Sequence, residues 1–283
     1  MFHMELFTGS IASGANAFVQ VPFYTTSNIL PQQVSGMQVS PDLPFVHSVL
    51  PVSANLVHVR IQANSMQPFP YPTLGPNNRG TAFESPPRVW DFSRYPIPLK
   101  STEEFDVFAT QNVGSAQTVY VAVQFTDNKP DKMPGPINPG SLVTNQLMTG
   151  RAAPIHWTAS TTLSAGTWTK VQPGFDQTLP AGFYALVGAR VFSATALFFR
   201  MFPAMGPKWR PGGLAVQAYD QMDAFYQRLF YSQYVGEKNW GVWLYFYQNV
   251  PPQVEIFATS ADTAEEGWFD LVYLGPQFVK AAI

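Results

Sequence analysis

Four histidines and two groups of carboxylates are the residues of this chain that could do chemistry. The histidines are His3, His47, His58 and His156. A zinc site or a cupin-type metal centre needs imidazoles brought close together, as in His-x-His or His-Glu-x-x-His, with a carboxylate nearby. None of the four is spaced that way, and with no cysteine the chain has neither thiolate ligands nor disulfides. His58 falls on the polar side of an alternating stretch beside Arg60, where a surface or interface histidine is expected. The carboxylates gather at Glu103, Glu104 and Asp106 and again at Asp262, Glu265, Glu266 and Asp270. Paired acids could cleave a glycoside or hold calcium in a loop. Both groups flank the same Phe-Ala-Thr motif, which makes solvated loop charge the expected reading. No Gly-x-Ser-x-Gly elbow, P-loop or dinucleotide fingerprint occurs. The sequence therefore supports no catalytic, cofactor-binding or metal-binding residue, and neither enzyme activity nor a cofactor is expected.

The elements that must carry these residues come in two copies. ASGANAFVQVPF (Ala12 to Phe23) lines up with SAGTWTKVQPGF (Ser164 to Phe175), and SANLVHVRI (Ser53 to Ile61) with SATALFFRM (Ser193 to Met201). GPNNRG (Gly75 to Gly80) echoes GPKWRPGG (Gly206 to Gly213). FDVFATQ (Phe105 to Gln111) matches VEIFATS (Val254 to Ser260), and that match continues from VYVAVQF into WFDLVYL. Each partner lies roughly 130 to 150 residues downstream, in the same order, as expected for a tandem duplication. Some residues occur in both copies: Gly14 and Gly166, Arg60 and Arg200, Arg79 and Arg210. The two arginines of the SANLVHVRI pair are expected at a strand end, anchoring carboxylates or carbonyls.

Most segments between the 26 prolines and 20 glycines alternate. In LVHVRIQ, Val57, Val59 and Ile61 share one face and His58, Arg60 and Gln62 the other, the period of a half-buried strand. TVYVAVQF, RVWDFSRY, TWTKVQ, GFYALVGARVF, TALFFRMF, WGVWLYFY and WFDLVYL also read as strands. Many short strands between turn clusters predict an antiparallel sandwich or barrel. One stretch differs. Leu214 to Gln233 places Ala218, Met222, Phe225 and Leu229 at helical spacing after Pro211-Gly212-Gly213, predicting a short helix inserted in the second copy. Its counterpart, Thr81 to Ser101, carries four prolines and can form at most a short helical turn. Residues 128–154, rich in Pro, Gly and Asn, read as a linker between domains 1–127 and 155–283.

Charged residues are only 12% of the 283, well below the ~25% of typical soluble domains, while aromatics reach 15%. Two small cores cannot hide that many rings, so much of the outer surface is expected to be covered by copies of the chain or by partners. The formal net charge is −2 and no basic arm occurs, which argues against direct nucleic-acid binding. MFHMELFTGS lacks a basic segment followed by an apolar run, so no signal peptide is expected. Leu6 to Pro41 carries no charge but is broken by Gly and Pro, making it a poor spanning helix.

Through the matched ASGANAFVQVPF/SAGTWTKVQPGF openings, the SANLVHVRI/SATALFFRM strands and the FDVFAT/VEIFAT strands, the chain resembles the double jelly-roll major capsid proteins. These belong to tailless icosahedral viruses with an internal membrane, a lineage of tectiviruses, corticoviruses, finnlakeviruses and adenoviruses. The resemblance implies an all-β fold of two tandem antiparallel jelly rolls. It implies a homotrimer whose six barrels form a pseudo-hexagonal capsomer tiling an icosahedral bacteriophage-type shell. It further implies neighbouring trimers, minor or penton capsid proteins and an internal membrane surface as partners. The virion would be its location, after assembly in the host cytoplasm. The basic N-terminal arm of some relatives is missing, so no direct nucleic-acid contact is expected. The alternatives are a glycan-binding or phage tail-attachment β-sandwich, with Trp209, Trp240 and Trp243 as stacking rings, and a double jelly-roll hydrolase or oxygenase.

Overall fold

The computed structural model describes residues 2–14, 17–26, 31–34, 36–53, 58–68, 71–75, 90–92, 96–111, 113–127, 153–203, 210–215, 244–263 and 265–276. The chain divides into two compact units, Met1–Pro130 and Asp131–Ile283.

Unit 1 runs through β1 (Phe2–Ile11), β2 (Val19–Val21), β3 (Phe23–Thr26), β4 (Pro31–Val34), β5 (Met37–Gln38) and β6 (Phe45–Ser53). It continues with β7 (His58–Ala63), β8 (Thr73–Leu74), β9 (Trp90–Asp91), β10 (Ile97–Pro98), β11 (Glu104–Thr110) and β12 (Gln117–Thr126). One sheet has the order β10-β6-β12-β1-β3-β4, with β9 also on β6, and the other β2-β11-β7-β8, with β5 also on β11. The first long strand thus pairs with the last, and the second with the last but one. That is a hairpin rolled up on itself, the jelly-roll topology. The core lies between the sheets, where alternation puts it: Val59, Ile61 and Ala63 of β7 and Phe105, Val107 and Ala109 of β11 are buried. Phe105 bridges the sheets, with ring centroids 5.9 Å from Phe7 of β1 and 5.4 Å from Phe125 of β12.

Unit 2 contains β13 (Ala153–Ala159), β14 (Trp168–Val171), β15 (Gly174–Phe175), β16 (Phe183–Phe192) and β17 (Ala196–Phe202). It closes with β18 (Gly212–Leu214), β19 (Leu244–Tyr247), β20 (Gln253–Ala258) and β21 (Glu265–Gly275). Its sheets have the orders β15-β13-β21-β16-β19 and β14-β20-β17-β18. Strand for strand this is the order of unit 1: β13 stands for β1, β14 for β2, β16 for β6, β17 for β7, β18 for β8, β20 for β11 and β21 for β12. The fold is two tandem antiparallel jelly rolls: the strand pattern and the repeat predicted antiparallel strands in two copies, and the resemblance implied the jelly-roll topology. Bulk is exchanged at matched core positions. Phe7 lies across from Val121 in unit 1, whereas Trp157 lies across from Gly267 in unit 2. A Cβ on Gly267 would run into the Trp157 indole and the Arg190 carbonyl, so the larger ring needs glycine opposite it.

Three expectations meet the structure differently. Leu214, expected to start a helix, ends β18 instead. It pairs with Phe198 and is buried in the sheet, because the Gly212-Gly213 backbone fits closely beside Phe199 and Arg200 and continues as strand. The rest of the expected helix, 216–233, lies outside the described residues. Within the expected 128–154 linker, Ala153 and Pro154 already pair with Leu271 and Asp270 in β13, while 128–152 lie outside the described residues. Arg60 and Arg200, expected at strand ends, sit inside β7 and β17.

Candidate functional site

Two acids of the first group come together, since Glu104 Oε1 and Asp106 Oδ1 crowd the same point beside Gly36, while Glu103 lies apart. Ser65 N–H (2.8 Å) and the Ser65 hydroxyl donate to Glu103, which also receives Lys100 N–H (2.5 Å), so it staples a loop. Glu104 opens β11 and is exposed, and among the described residues its side chain has no hydrogen-bond or ion-pair partner. Asp106, two residues on along the same face, accepts from Gln20 Nε2 at 2.8 Å. Burial raises its carboxyl above the usual range; the Gln20 bond counteracts this in part and the Glu104 charge adds to it. His3 Nε2 lies 2.7 Å from Glu5 Oε1, His47 is buried with Nδ1 3.3 Å from Ser48 Oγ, and His58 is exposed at the start of β7. None of these histidines joins another.

Arg60 is the residue of this face with most to explain. Its guanidinium carbon lies 4.1 Å from the Phe18 ring centroid, 5.1 Å from Phe108 and 5.8 Å from Tyr71. Among the described residues its side chain has no hydrogen-bond or ion-pair partner, and its buried Nε is unsatisfied. Rings hold the cation by their negative faces, but no anion completes it.

In unit 2 the matched face is built differently. Arg200 Nε donates to Glu255 Oε2 at 2.7 Å, and Arg210 Nη1 donates to the same oxygen at 2.9 Å. Arg200 is 3% and Glu255 4% exposed, so the pair is inside the protein. Arg200 also lies 4.2 Å from the Trp168 ring, and Arg210 4.7 Å from the Phe202 ring. Glu255 was missed as a site residue by sequence reasoning. The signal was present, since VEIFAT and FDVFAT carry an acid at the same position.

The acids of the second group go to separate partners. Asp262 accepts from Thr195 Oγ1 (3.3 Å) and Thr263 N–H (2.8 Å). Glu266 meets His156 Nε2 at 3.1 Å, while Asp176, also missed in the sequence, takes its Nδ1; the ring packs 4.7 Å from Trp268. The Asp176 bond raises the imidazole above its ordinary value; burial opposes this and Glu266 adds to it. Asp270 accepts from Arg190 Nη2 at 3.2 Å. Glu265 points the other way from Glu266, as strand alternation requires, and is 2% exposed. Both its oxygens lack a hydrogen-bond partner at full bonding geometry. Desolvation pushes its carboxyl up to about 7, with the Ser193 hydroxyl holding it down in part and Asp262 raising it further.

Chemically, these arrangements are ion pairs and a buried acid, each on its own stretch of strand. Among the described residues no group of three or more His, Asp or Glu side chains is placed to hold a metal ion. Of the exposed large apolar residues, Tyr245 and Tyr273 belong to one sheet of unit 2. Tyr273 lies across from Tyr184 and Tyr245 across from Ala185, so the two rings stand on opposite faces and do not make one platform. Trp209, Trp240, Trp243 and Arg79 lie outside the described residues.

No protein-family model and no curated protein matches the chain. Among solved structures it is similar to the major capsid protein P2 from bacteriophage PM2, at 9% identity and a TM-score of 0.27 over 100% of both chains. It is also similar to the STIV MCP, at 9% identity and a TM-score of 0.26 over 100% of both chains.

Proposed function

We propose that the chain is the building block of a virion shell: a major capsid protein that trimerises into pseudo-hexagonal capsomers and tiles an icosahedral capsid. The observation that carries this reading is the duplicated strand order, two jelly rolls of one topology within a single chain. Three such chains place six similar barrels around a three-fold axis, which fills a six-fold position in a closed lattice. The two barrels of one chain also differ on their outer faces, so each capsomer offers alternating edges to its neighbours. The low charge and high aromatic content suit faces that are covered on assembly. Its partners would be itself, neighbouring capsomers, minor or penton proteins and an internal membrane surface. The net charge of −2 leaves no stripe for genome contact. The chain would assemble in the host cytoplasm and reside in the virion.

The test is the oligomeric state of the purified full chain, by mass photometry and negative-stain microscopy. Three-fold particles of hexagonal outline, or closed shells, are the expected result. A monodisperse monomer that binds immobilised glycans would replace this reading with the attachment-module alternative.

A further inference from the structure

The outer face of the β2-β11-β7-β8 sheet in unit 1 carries charges of opposite sign, Arg60 on β7 and, on β11, Glu104 with its carboxylate beside that of Asp106. Arg60 lies across from Phe108, and Glu104 stands on the same face of β11, about 13 Å along the strand. The two do not pair within one chain, because three rings hold the Arg60 guanidinium and the Glu104 carboxylate turns towards Gly36. Among the described residues neither side chain has a hydrogen-bond or ion-pair partner, although Arg60 is clamped by three rings and its Nε is already out of water. A guanidinium in this state has lost hydration without gaining an anion, so a carboxylate delivered to its open donors forms a charge-assisted pair with little further ordering.

We propose that this face is a self-complementary contact with a second copy of the chain, in which Arg60 of each copy receives Glu104 of the other. A two-fold axis midway between the charges brings each onto its opposite, which is the geometry of an isologous interface. The occupant follows from the charges. A small free anion would satisfy Arg60 and leave Glu104 bare. A nucleic acid would meet Glu104 and Asp106 on the same face and be repelled. A second copy satisfies both ends at once. Phe18 and Phe108, half-buried beside Arg60, would complete the apolar part of the contact. This contact rests on the reading of the chain as an assembling subunit and would be one of its joints.

The experiment uses Arg60→Glu and Glu104→Arg in the full chain, each alone and mixed in equal amounts, with self-association read by sedimentation velocity at low and high salt. Each variant alone should associate at least about tenfold more weakly than wild type, because every such contact juxtaposes like charges. The equimolar mixture should recover wild-type association, since Arg60→Glu of one chain then faces Glu104→Arg of the other. Raised salt should weaken the wild-type and mixed contacts alike. Variants that associate as wild type, or a mixture that does not recover, would overturn the proposal. A wild-type chain that stays monomeric sinks the shell reading and this contact together, whereas assembling wild type with indifferent variants sinks the contact alone. Should reversal at Arg60 unfold the chain by circular dichroism, Arg60→Gln and Glu104→Gln replace it. Their combined loss should then be clearly smaller than the product of the single losses; independent, multiplying losses would refute the pairing.

Discussion

The two arginines of the matched strands show how far two copies of one domain can drift while keeping their topology. In unit 2, Arg200 lies across from Glu255 in a buried pair, and the half-buried Arg210 shares the acid. In unit 1, Arg60 lies across from Phe108, and the acid matched to Glu255, Asp106, lies across from Gln62. The strand pairing has slid by two residues relative to the Phe-Ala-Thr motif. Because side chains repeat every two residues along a strand, such a slide keeps every core residue inside and changes only which outer side chains face each other. One copy thereby closes its charges internally, and the other leaves a cation and an anion open at its surface. The burial of the strands follows suit. The outer face of β7 and β11 is half-buried or exposed at His58, Arg60, Glu104 and Asp106, whereas β17 and β20 are buried on both faces along nearly their whole length.

The most severe way to break this contrast is to remove the acids that differ. Glu255→Ala strands a buried guanidinium and should cost unit 2 about 3–5 kcal/mol. Asp106→Ala, its counterpart, loses one half-buried hydrogen bond and should cost about 1 kcal/mol or less. Urea titration combined with hydrogen exchange would read the two units separately, and equal losses would contradict the contrast.

Next in size is the response of unit 2 to pH. A carboxyl whose folded pKa lies above its unfolded value binds more protons when folded, so stability falls as pH rises across that interval. For Glu265 the interval runs from its ordinary value of 4.5 up to about 7. Glu265→Gln should flatten this slope and make the protein more stable than wild type at pH 8, by an order of 1–3 kcal/mol. Melting temperatures at pH 5 and pH 8 check it; an unchanged slope would place the proton elsewhere. His156 acts in the same direction, since its raised imidazole stabilises only while protonated and that contribution fades as pH passes its folded value.

The exchange of core bulk offers a third test. Gly267→Ala puts a methyl into the Trp157 indole and the Arg190 carbonyl and should cost about 1–3 kcal/mol. Val121→Ala, at the matched site in unit 1, only removes volume and should cost about 1 kcal/mol. The smallest effect is the one that sharpens the comparison most. Gln62→Arg restores in unit 1 the pairing of unit 2 by setting a cation across from Asp106, and should bring the Asp106 carboxyl back down. The stability gain would be about 0.5 kcal/mol, and carboxyl NMR titration would detect the shift.

Much of the fold was legible in the residues themselves. The alternation in LVHVRIQ placed Val59 and Ile61 on the inner face, and they are fully buried. The paired glycines also carried a real signal, since Gly14 and Gly166 both adopt left-handed φ, 67° and 70°. Even so, Gly14 N–H bonds Val113 beyond the end of β11, while Gly166 N–H bonds Ala258 within β20. Equal conformation did not mean equal position. The acids were harder to read. Glu265 and Glu266 are neighbours in sequence, yet alternation sends one into the interior and the other to His156.

By itself, the sequence determined that this chain is built twice from strands with one apolar side, because a period of two and a repeated order are properties of the string of residues. Only the tertiary structure decided how those strands slid against one another, and with that which guanidinium met an acid. Hydrophobic burial is indifferent to a slip of two residues, so that choice fell to loops and cross-strand partners far apart in the chain.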